Sequence, residues 1–206
     1  ISLLRACGIV QQMPSGFNAI RGYFAGVPDL SDAFEFYFDQ ELRGGYGWVF
    51  PLADGRANVG LGLFTRDREQ EAPNTRRMLA EFMARHPRLA QARPDGPLKG
   101  YPLRTDFPGH PAAGAGFLLA GESLGLVHPV TGEGIDLALE SAELAAAAAD
   151  AALRGHDPAR YGPAHYRRAL LSAYGGTFRG LHVLQHLLKY PRALDRLLRQ
   201  TRRKPY

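Results

Sequence analysis

Residues 117–141 read FLLAGESLGLVHPVTGEGIDLALES. The four apolar residues 117–120 predict a buried strand, and Glu122 places a carboxylate just after it. Gly and Pro residues mark the loop that follows, and the pattern predicts a helix that opens at Gly132-Glu133-Gly134. A carboxylate can hold a polar group of a ligand, and a helix N-terminus attracts an electron-rich group. The stretch therefore predicts a strand–loop–helix unit that binds a ligand.

Upstream, the chain shows the alternating pattern of antiparallel strands. Residues 46–52 and 57–64 are rich in β-forming side chains, and Asp54-Gly55 between them is a strong hairpin signal. Residues 17–26 and 33–39 predict two more strands, separated by a turn at Pro28-Asp29. These four segments together predict one antiparallel sheet.

Most of the other elements that the sequence predicts are helices. Residues 75–85 predict a short helix that Pro87 ends, and residues 99–104 predict a further strand. Three more helical segments are predicted near 158–174, 177–190 and 191–203, divided at Gly175-Gly176 and at Pro191.

Two motifs in this chain resemble those of the geranylgeranyl-reductase-like flavoproteins. Residues 121–135, GESLGLVHPVTGEGI, resemble the family's second flavin-binding motif, GDAAGxxxPxTGEGI, with Glu122 in place of Asp. Residues 46–51, YGWVFP, and 58–62, NVGLG, resemble the family's YxWxFP…NVGxG hairpin. The two motifs occur in the family's order, which makes the resemblance specific.

The resemblance implies FAD as the cofactor and assigns roles to residues. Glu122 would hold the ribityl chain, and the cofactor-binding set comprises Gly121, Glu122, Pro129, Gly132, Gly134 and Ile135. The substrate-binding set comprises Tyr46, Trp48 and Phe50, whose rings would line the cavity. His128 could donate a hydrogen bond to flavin or substrate. The implied fold is α+β/α/β: an antiparallel substrate-domain sheet, the C-terminal portion of a p-hydroxybenzoate-hydroxylase-like FAD-binding domain, and a C-terminal helical segment.

The Gly-x-Gly-x-x-Gly fingerprint that binds the ADP half of FAD does not occur in the sequence. We therefore expect the chain to be the C-terminal part of a longer flavoenzyme, with the missing N-terminal half as its partner. The expected divisions are a substrate sheet over 1–95, part of the FAD-binding domain over 96–155, and C-terminal helices over 156–206.

The expected function is reduction of carbon–carbon double bonds in an isoprenoid-type, small or lipid-like substrate by an FAD-dependent oxidoreductase. A flavin-dependent monooxygenase or halogenase of the same fold is one alternative, and a non-catalytic fragment is another. A third alternative is a serine hydrolase, because Gly121-Glu122-Ser123-Leu124-Gly125 spells G-x-S-x-G, with His165, His182 or His186 downstream. No catalytic residue is assigned.

Composition places the chain among folded globular proteins, with 45% hydrophobic and 22% charged residues. Cys7 is the single cysteine, so an internal disulfide is excluded. No apolar run approaches the roughly 20 residues of a spanning helix, and we expect a cytoplasmic protein. No metal site is predicted, because His182 and His186 lack a visible third ligand.

The net charge of +5 is concentrated at the C-terminus. From Arg192 onward, six basic residues face one acidic residue, with leucines at roughly helical spacing. No nucleic-acid recognition motif accompanies them, so nucleic acid is not an expected partner. The pattern predicts a basic amphipathic helix that either packs on the fold or contacts an anionic membrane surface.

Overall fold

The computed structural model describes residues 2–11, 17–42, 45–64, 74–114, 116–155 and 162–188. They fall into two compact units. The sheet unit is drawn mainly from residues 17–102, and the motif unit combines residues 1–16 with 103–186. The sequence suggested a boundary near residue 95, but the strand that follows it pairs with β1 and stays with the sheet.

The sheet unit contains six strands. They are β1 (Phe17–Ala25), β2 (Glu35–Tyr37), β3 (Tyr46–Pro51), β4 (Ala57–Phe64), β5 (Arg93–Pro94) and β6 (Lys99–Leu103). The order is β2-β3-β4-β1-β5, and β6 also pairs with β1. The β3–β4 hairpin turns through Gly55, whose φ of 79° suits glycine. The antiparallel sheet is confirmed, although the second predicted strand is shorter than the expected 33–39.

One face of the sheet is covered by α2 (Thr75–Arg85), which a short helix, α3 (Pro87–Ala90), follows. Asn74 begins α2, because its Oδ1 accepts the Arg77 N–H at 3.1 Å. Leu79 and Phe82 of α2 are buried against β-strand side chains such as Val49 and Leu61. Burial of these apolar side chains places α2 on the face of the sheet that carries Val49 and Leu61, and the opposite face stays open.

The motif unit contains five elements besides a 3₁₀ turn. They are α1 (Ser2–Ala6), β7 (Ala113–Gly114), β8 (Phe117–Leu118), α4 (Ile135–Leu153) and α5 (Pro163–Leu188), with the 3₁₀ turn over Gly121–Leu124. Its core includes Leu124 and Leu126 from the loop and Tyr166, Leu170 and Phe178 from α5. The strand predicted over 117–120 has only two residues, and the helix predicted after it is confirmed.

The break predicted at Gly175-Gly176 is wrong, because α5 runs unbroken through both glycines. Tyr174 and Phe178 flank the pair and are buried in the core, so packing outweighs the roughly 1 kcal/mol that a glycine costs in a helix. The helix predicted over 191–203 and the basic tail lie outside the described residues. Among the described helices, none has both the length and the apolar character that crossing a bilayer requires.

Candidate functional site

The predicted cofactor loop, residues 121–134, begins with a 3₁₀ turn that packs tightly on α4. Gly121 has a φ of 57°, and a Cβ at this position would lie 2.8 Å from the Ala138 Cβ. The Gly121 N–H donates to the buried Ser141 Oγ at 2.9 Å. Gly125, with a φ of 82°, ends the turn. Glycine at 121 and at 125 is therefore required by backbone conformation and by close approach.

Glu122 lies on the exposed side of this turn. Its Oε1 accepts the backbone N–H of Arg104 at 3.3 Å. The carboxylate is thus oriented by the main chain while its side chain remains open to solvent. This arrangement suits a carboxylate that accepts hydrogen bonds from the hydroxyl groups of a ligand.

Arg104 organises the loop from beneath, and its side chain is fully buried. Its Nε and Nη2 each donate to the Asp106 carboxylate at 3.1 Å. Its Nη1 donates to the Ser123 carbonyl at 2.6 Å. Its own carbonyl accepts the Val127 N–H at 3.1 Å. The buried guanidinium thus holds the turn at Ser123, and the Arg104 main chain holds the loop at Val127.

The second half of the loop closes on itself at His128. The Gly132 N–H donates to the His128 carbonyl at 2.9 Å, and the His128 N–H donates to the Glu133 carbonyl at 2.6 Å. The Thr131 N–H donates to the His128 Nδ1 at 3.2 Å. Burial lowers the pKa of His128, so the ring is neutral with its Nδ1 as an acceptor. The ring Nδ1 is therefore occupied within the loop.

α5 fixes the loop at a further point. The buried Gln185 donates its Nε2–H to the Pro129 carbonyl at 2.7 Å. One turn earlier, His182 donates to the Thr105 carbonyl at 2.5 Å. α5 thus holds the loop through the Pro129 carbonyl group. No sequence pattern indicated this contact.

The N-terminus of α4 is open. Gly134 is the N-cap and provides no side-chain cap. Within the described residues, the N–H groups of Ile135 and Asp136 have no acceptor. Asp136 Oδ1 accepts the Leu137 N–H at 2.7 Å, and the neighbouring Asp136 carboxylate, as an acceptor and a like charge, raises the pKa of Glu133. Free donors at a helix N-terminus attract an electron-rich ligand edge. The residues present therefore fit the pyrimidine edge and the ribityl chain of a flavin.

Ser123 does not have the environment of a nucleophile. Its Oγ donates to the Ala120 carbonyl at 2.6 Å and accepts the Ala120 N–H at 3.1 Å. The residue lies inside a 3₁₀ turn, whereas a nucleophile elbow places its serine between a strand and a helix. The structure therefore contradicts the serine-hydrolase alternative.

The open face of the sheet carries a continuous set of rings, which we call the aromatic face. Its members are Phe34, Phe36, Phe38, Tyr46, Trp48 and Phe50. Neighbouring centroids lie between 4.5 Å for Phe34–Phe50 and 6.2 Å for Phe38–Tyr46. Phe36 and Phe38 are 52% and 78% exposed. Such a concentration of exposed aromatic surface is typical of a binding surface.

The glycines of the NVGLG motif have a steric role on this face. Trp48 pairs with Gly60 across β3 and β4, and a Cβ at Gly60 would collide with the Trp48 ring. A Cβ at Gly62 would collide with the Phe17 ring. The Trp48 Nε1–H donates to the Asn58 Oδ1 at 3.0 Å, which fixes the indole. Glycines on β4 therefore allow the rings to lie flat on the sheet.

The structure gathers the predicted residues into two sets, one in each unit. The cofactor set, Gly121 to Ile135, lies in one loop and the first residue of α4. The substrate set, Tyr46, Trp48 and Phe50, lies on the aromatic face. Sequence reasoning missed Arg104, Ser141 and Gln185. Each is a single polar residue in an ordinary context, and only the fold brings it to the loop.

Residues 18–94 match the family model described as the geranylgeranyl reductase catalytic domain. The chain is 31% identical over 162 residues to digeranylgeranylglycerophospholipid reductase 2 of Methanopyrus kandleri, covering 75% of this chain and 39% of that protein. It is 30% identical over 188 residues to the menaquinone reductase of Mycobacterium tuberculosis, covering 85% of this chain and 43% of that protein.

Solved structures show the same fold. A geranylgeranyl bacteriochlorophyll reductase-like protein from Thermoplasma acidophilum superimposes with a TM-score of 0.70 at 24% identity, covering 85% of this chain and 44% of that one. The probable FAD-dependent monooxygenase pqsL of Pseudomonas aeruginosa gives a TM-score of 0.59 at 21% identity, covering 95% and 55%.

The fold is thus that of the flavin-dependent oxidoreductases and monooxygenases. The chain is geranylgeranyl-reductase-like, as its two motifs predict. It spans about two-fifths of the length of the curated relatives named above.

Proposed function

We propose that the chain provides the substrate sheet and the second flavin-binding motif of an FAD-dependent oxidoreductase that reduces carbon–carbon double bonds of an isoprenoid-type substrate. The observation that carries this proposal is the aromatic face, because it lies on the residues that match the geranylgeranyl reductase catalytic domain. Stacked rings on a sheet offer a broad apolar surface on which an unsaturated chain can lie.

The proposed flavin site is the 121–134 loop together with the first turn of α4. Glu122 would accept hydrogen bonds from the ribityl hydroxyls, and the N–H groups of Ile135 and Asp136 would face the pyrimidine edge. When bound and reduced, the flavin would supply a hydride to the double bond. The positive end of the α4 dipole would stabilise negative charge on that edge.

Replacement of Glu122 tests the cofactor half of this proposal. Expressed within its complete reading frame, the Glu122→Ala variant should bind less FAD than the wild type, as measured by flavin absorbance per protein. Glu143→Ala is the matched control, because Glu143 is an exposed carboxylate farther along α4. Equal FAD occupancy in all three proteins would remove Glu122 from the site.

The reaction itself distinguishes reduction from oxygenation or halogenation. Incubation of the flavin-loaded, reduced protein with a geranylgeranyl lipid should give a product that has gained H₂ at a double bond, as measured by mass spectrometry. A product that has gained oxygen or a halogen would favour the alternative. The structural similarity to a monooxygenase, at 21% identity, supports the shared fold alone.

A further inference from the structure

The aromatic face includes one charged residue, Arg21 on β1. The register pairs Arg21 with Gly60, Gly60 with Trp48, and Trp48 with Phe36. Paired residues of neighbouring strands point to the same side of a sheet. Arg21 therefore lies in a row that crosses four strands, from β1 to an exposed phenylalanine on β2. Because a glycine separates Arg21 from Trp48 in this row, no side chain stands between them at the Gly60 position.

The cation of Arg21 contacts an aromatic ring. Its guanidinium carbon lies 4.8 Å from the centroid of the Tyr23 ring, a cation–π arrangement. Among the residues that the structure describes, no carboxylate pairs with it. Asp95, whose N–H donates to the Tyr23 carbonyl, has its carboxylate paired with Arg56 at 2.6 Å. The side chain is half-buried, so its charge is only partly solvated.

Two other arginines of the sheet unit, Arg88 and Arg56, have carboxylate partners. Arg88 donates to both oxygens of Glu35, at 3.0 and 3.2 Å, on the opposite side of β2 from Phe36. Arg56 bridges Asp54 and Asp95 across the hairpin turn. Both have partners within the fold, whereas the Arg21 guanidinium donates to none of the described residues and so has N–H donors for a ligand.

A second donor lies beside Arg21 in the same face. Asn58 pairs with Tyr23 on β1 and with Phe50 on β3. Its Oδ1 accepts the Trp48 Nε1–H. Since an amide oxygen is used in this way, the Asn58 NH₂ group remains a donor on the open face. The β1 side of the aromatic face is thus rich in donors, and the β2 side is apolar.

We propose that Arg21 binds the phosphate ester end of the isoprenoid substrate, whose chain lies across the aromatic face toward Phe36. A planar guanidinium recognises phosphate through paired hydrogen bonds, and the neighbouring rings suit an apolar chain. This inference rests on the proposed function and adds the chemical class of the substrate's polar end. A neutral isoprenoid head group would leave the Arg21 charge unpaired, so prenyl phosphate esters should bind more tightly.

Trp48 reports binding directly, because it is the single tryptophan of the chain. Quenching of its fluorescence is measured with farnesyl diphosphate, with farnesol, and with inorganic pyrophosphate. Farnesyl diphosphate should bind at least about tenfold more tightly than farnesol, which is what a hydrogen bond to a charged group contributes. Pyrophosphate should compete with it weakly.

The Arg21→Gln variant should lose this preference and bind farnesyl diphosphate and farnesol with equal affinity. Arg85→Gln is the matched control, because Arg85 is exposed on α2, which covers the other face; it should keep the preference. Thermal unfolding of each variant checks that the fold is intact.

Equal binding of the two prenyl ligands to the wild type would overturn the role of Arg21 while leaving the aromatic face as the chain-binding surface. An unchanged preference in Arg21→Gln would overturn it as well. If neither prenyl ligand affects Trp48, the aromatic face does not bind the substrate, and the proposed function fails together with this inference.

Discussion

The two surfaces that we propose to bind ligands, one in each unit, are built in opposite ways. The aromatic face of the sheet unit is organised by steric fit, since its rings lie over glycines of the neighbouring strand. The loop of the motif unit is organised by buried polar contacts, since Arg104, Ser141 and Gln185 hold it from below. Substitutions that add side-chain volume should therefore disrupt the aromatic face, and substitutions that remove hydrogen bonds should disrupt the loop.

The largest expected effect is on the motif unit. Arg104→Met removes the guanidinium, so the Ser123 carbonyl loses its donor and the Asp106 carboxylate keeps His110 Nε2, at 2.8 Å, as a partner. The variant should lose about 3 kcal/mol of the free energy of unfolding in urea, the lower end for breaking a buried pair. Arg154→Met is the control, because the Arg154–Asp150 pair has side chains 68% and 60% exposed; it should change stability by under about 1 kcal/mol. A small loss for both variants would mean that Arg104 does not organise the loop.

The next effect concerns steric fit on the sheet. Gly60→Ala adds a Cβ that collides with the Trp48 ring, so stability should fall by about 1–3 kcal/mol. The Trp48 emission maximum should shift as the ring moves. Gly55→Ala is the control for backbone strain. Gly55 has a φ of 79°, but a Cβ there would meet no atom within 4 Å, so no ring collision occurs. Gly55→Ala should destabilise the hairpin without moving the Trp48 emission; unchanged emission in Gly60→Ala would contradict the packing described.

A smaller effect depends on pH through His128. Its pKa in the folded chain is lowered by burial, so the unfolded chain binds the proton more readily. The stability that the neutral ring provides is complete above about pH 6.5 and is lost as the pH falls. Between pH 7 and pH 5 the wild type should lose more stability than His128→Asn, which can accept the same N–H without titrating. Parallel pH profiles would remove His128 from the loop's hydrogen bonds.

The smallest effect tests the continuity of α5. Gly176 has helical neighbours and open space around a Cβ, so Gly176→Ala should stabilise the chain by about 0.5–1 kcal/mol. Gly121→Ala provides the contrast, because its φ of 57° and its contact with Ala138 should make it destabilising. A loss of stability in Gly176→Ala would indicate that the helix bends at this pair.

The sequence predicted well what depends on local pattern. The β3–β4 hairpin and α2 follow from alternation, a turn signal and a capping residue, and the motif residues 121–135 lie together because they are consecutive. The prediction from sequence was wrong or incomplete where tertiary contacts decide the structure. Gly175-Gly176 resembles a helix break, yet the burial of Tyr174 and Phe178 keeps the helix whole. Arg104 has no local signal, because its partners are a nearby carboxylate and a carbonyl 19 residues away.

The most direct test of the central claim is anaerobic reoxidation of the reduced, flavin-loaded protein, expressed within its complete reading frame, by a geranylgeranyl lipid. Visible flavin absorbance should return as the lipid is added, and the lipid should gain H₂ at a double bond. A protein that takes up no FAD, or one whose reduced flavin is reoxidised by oxygen but not by the lipid, would contradict it.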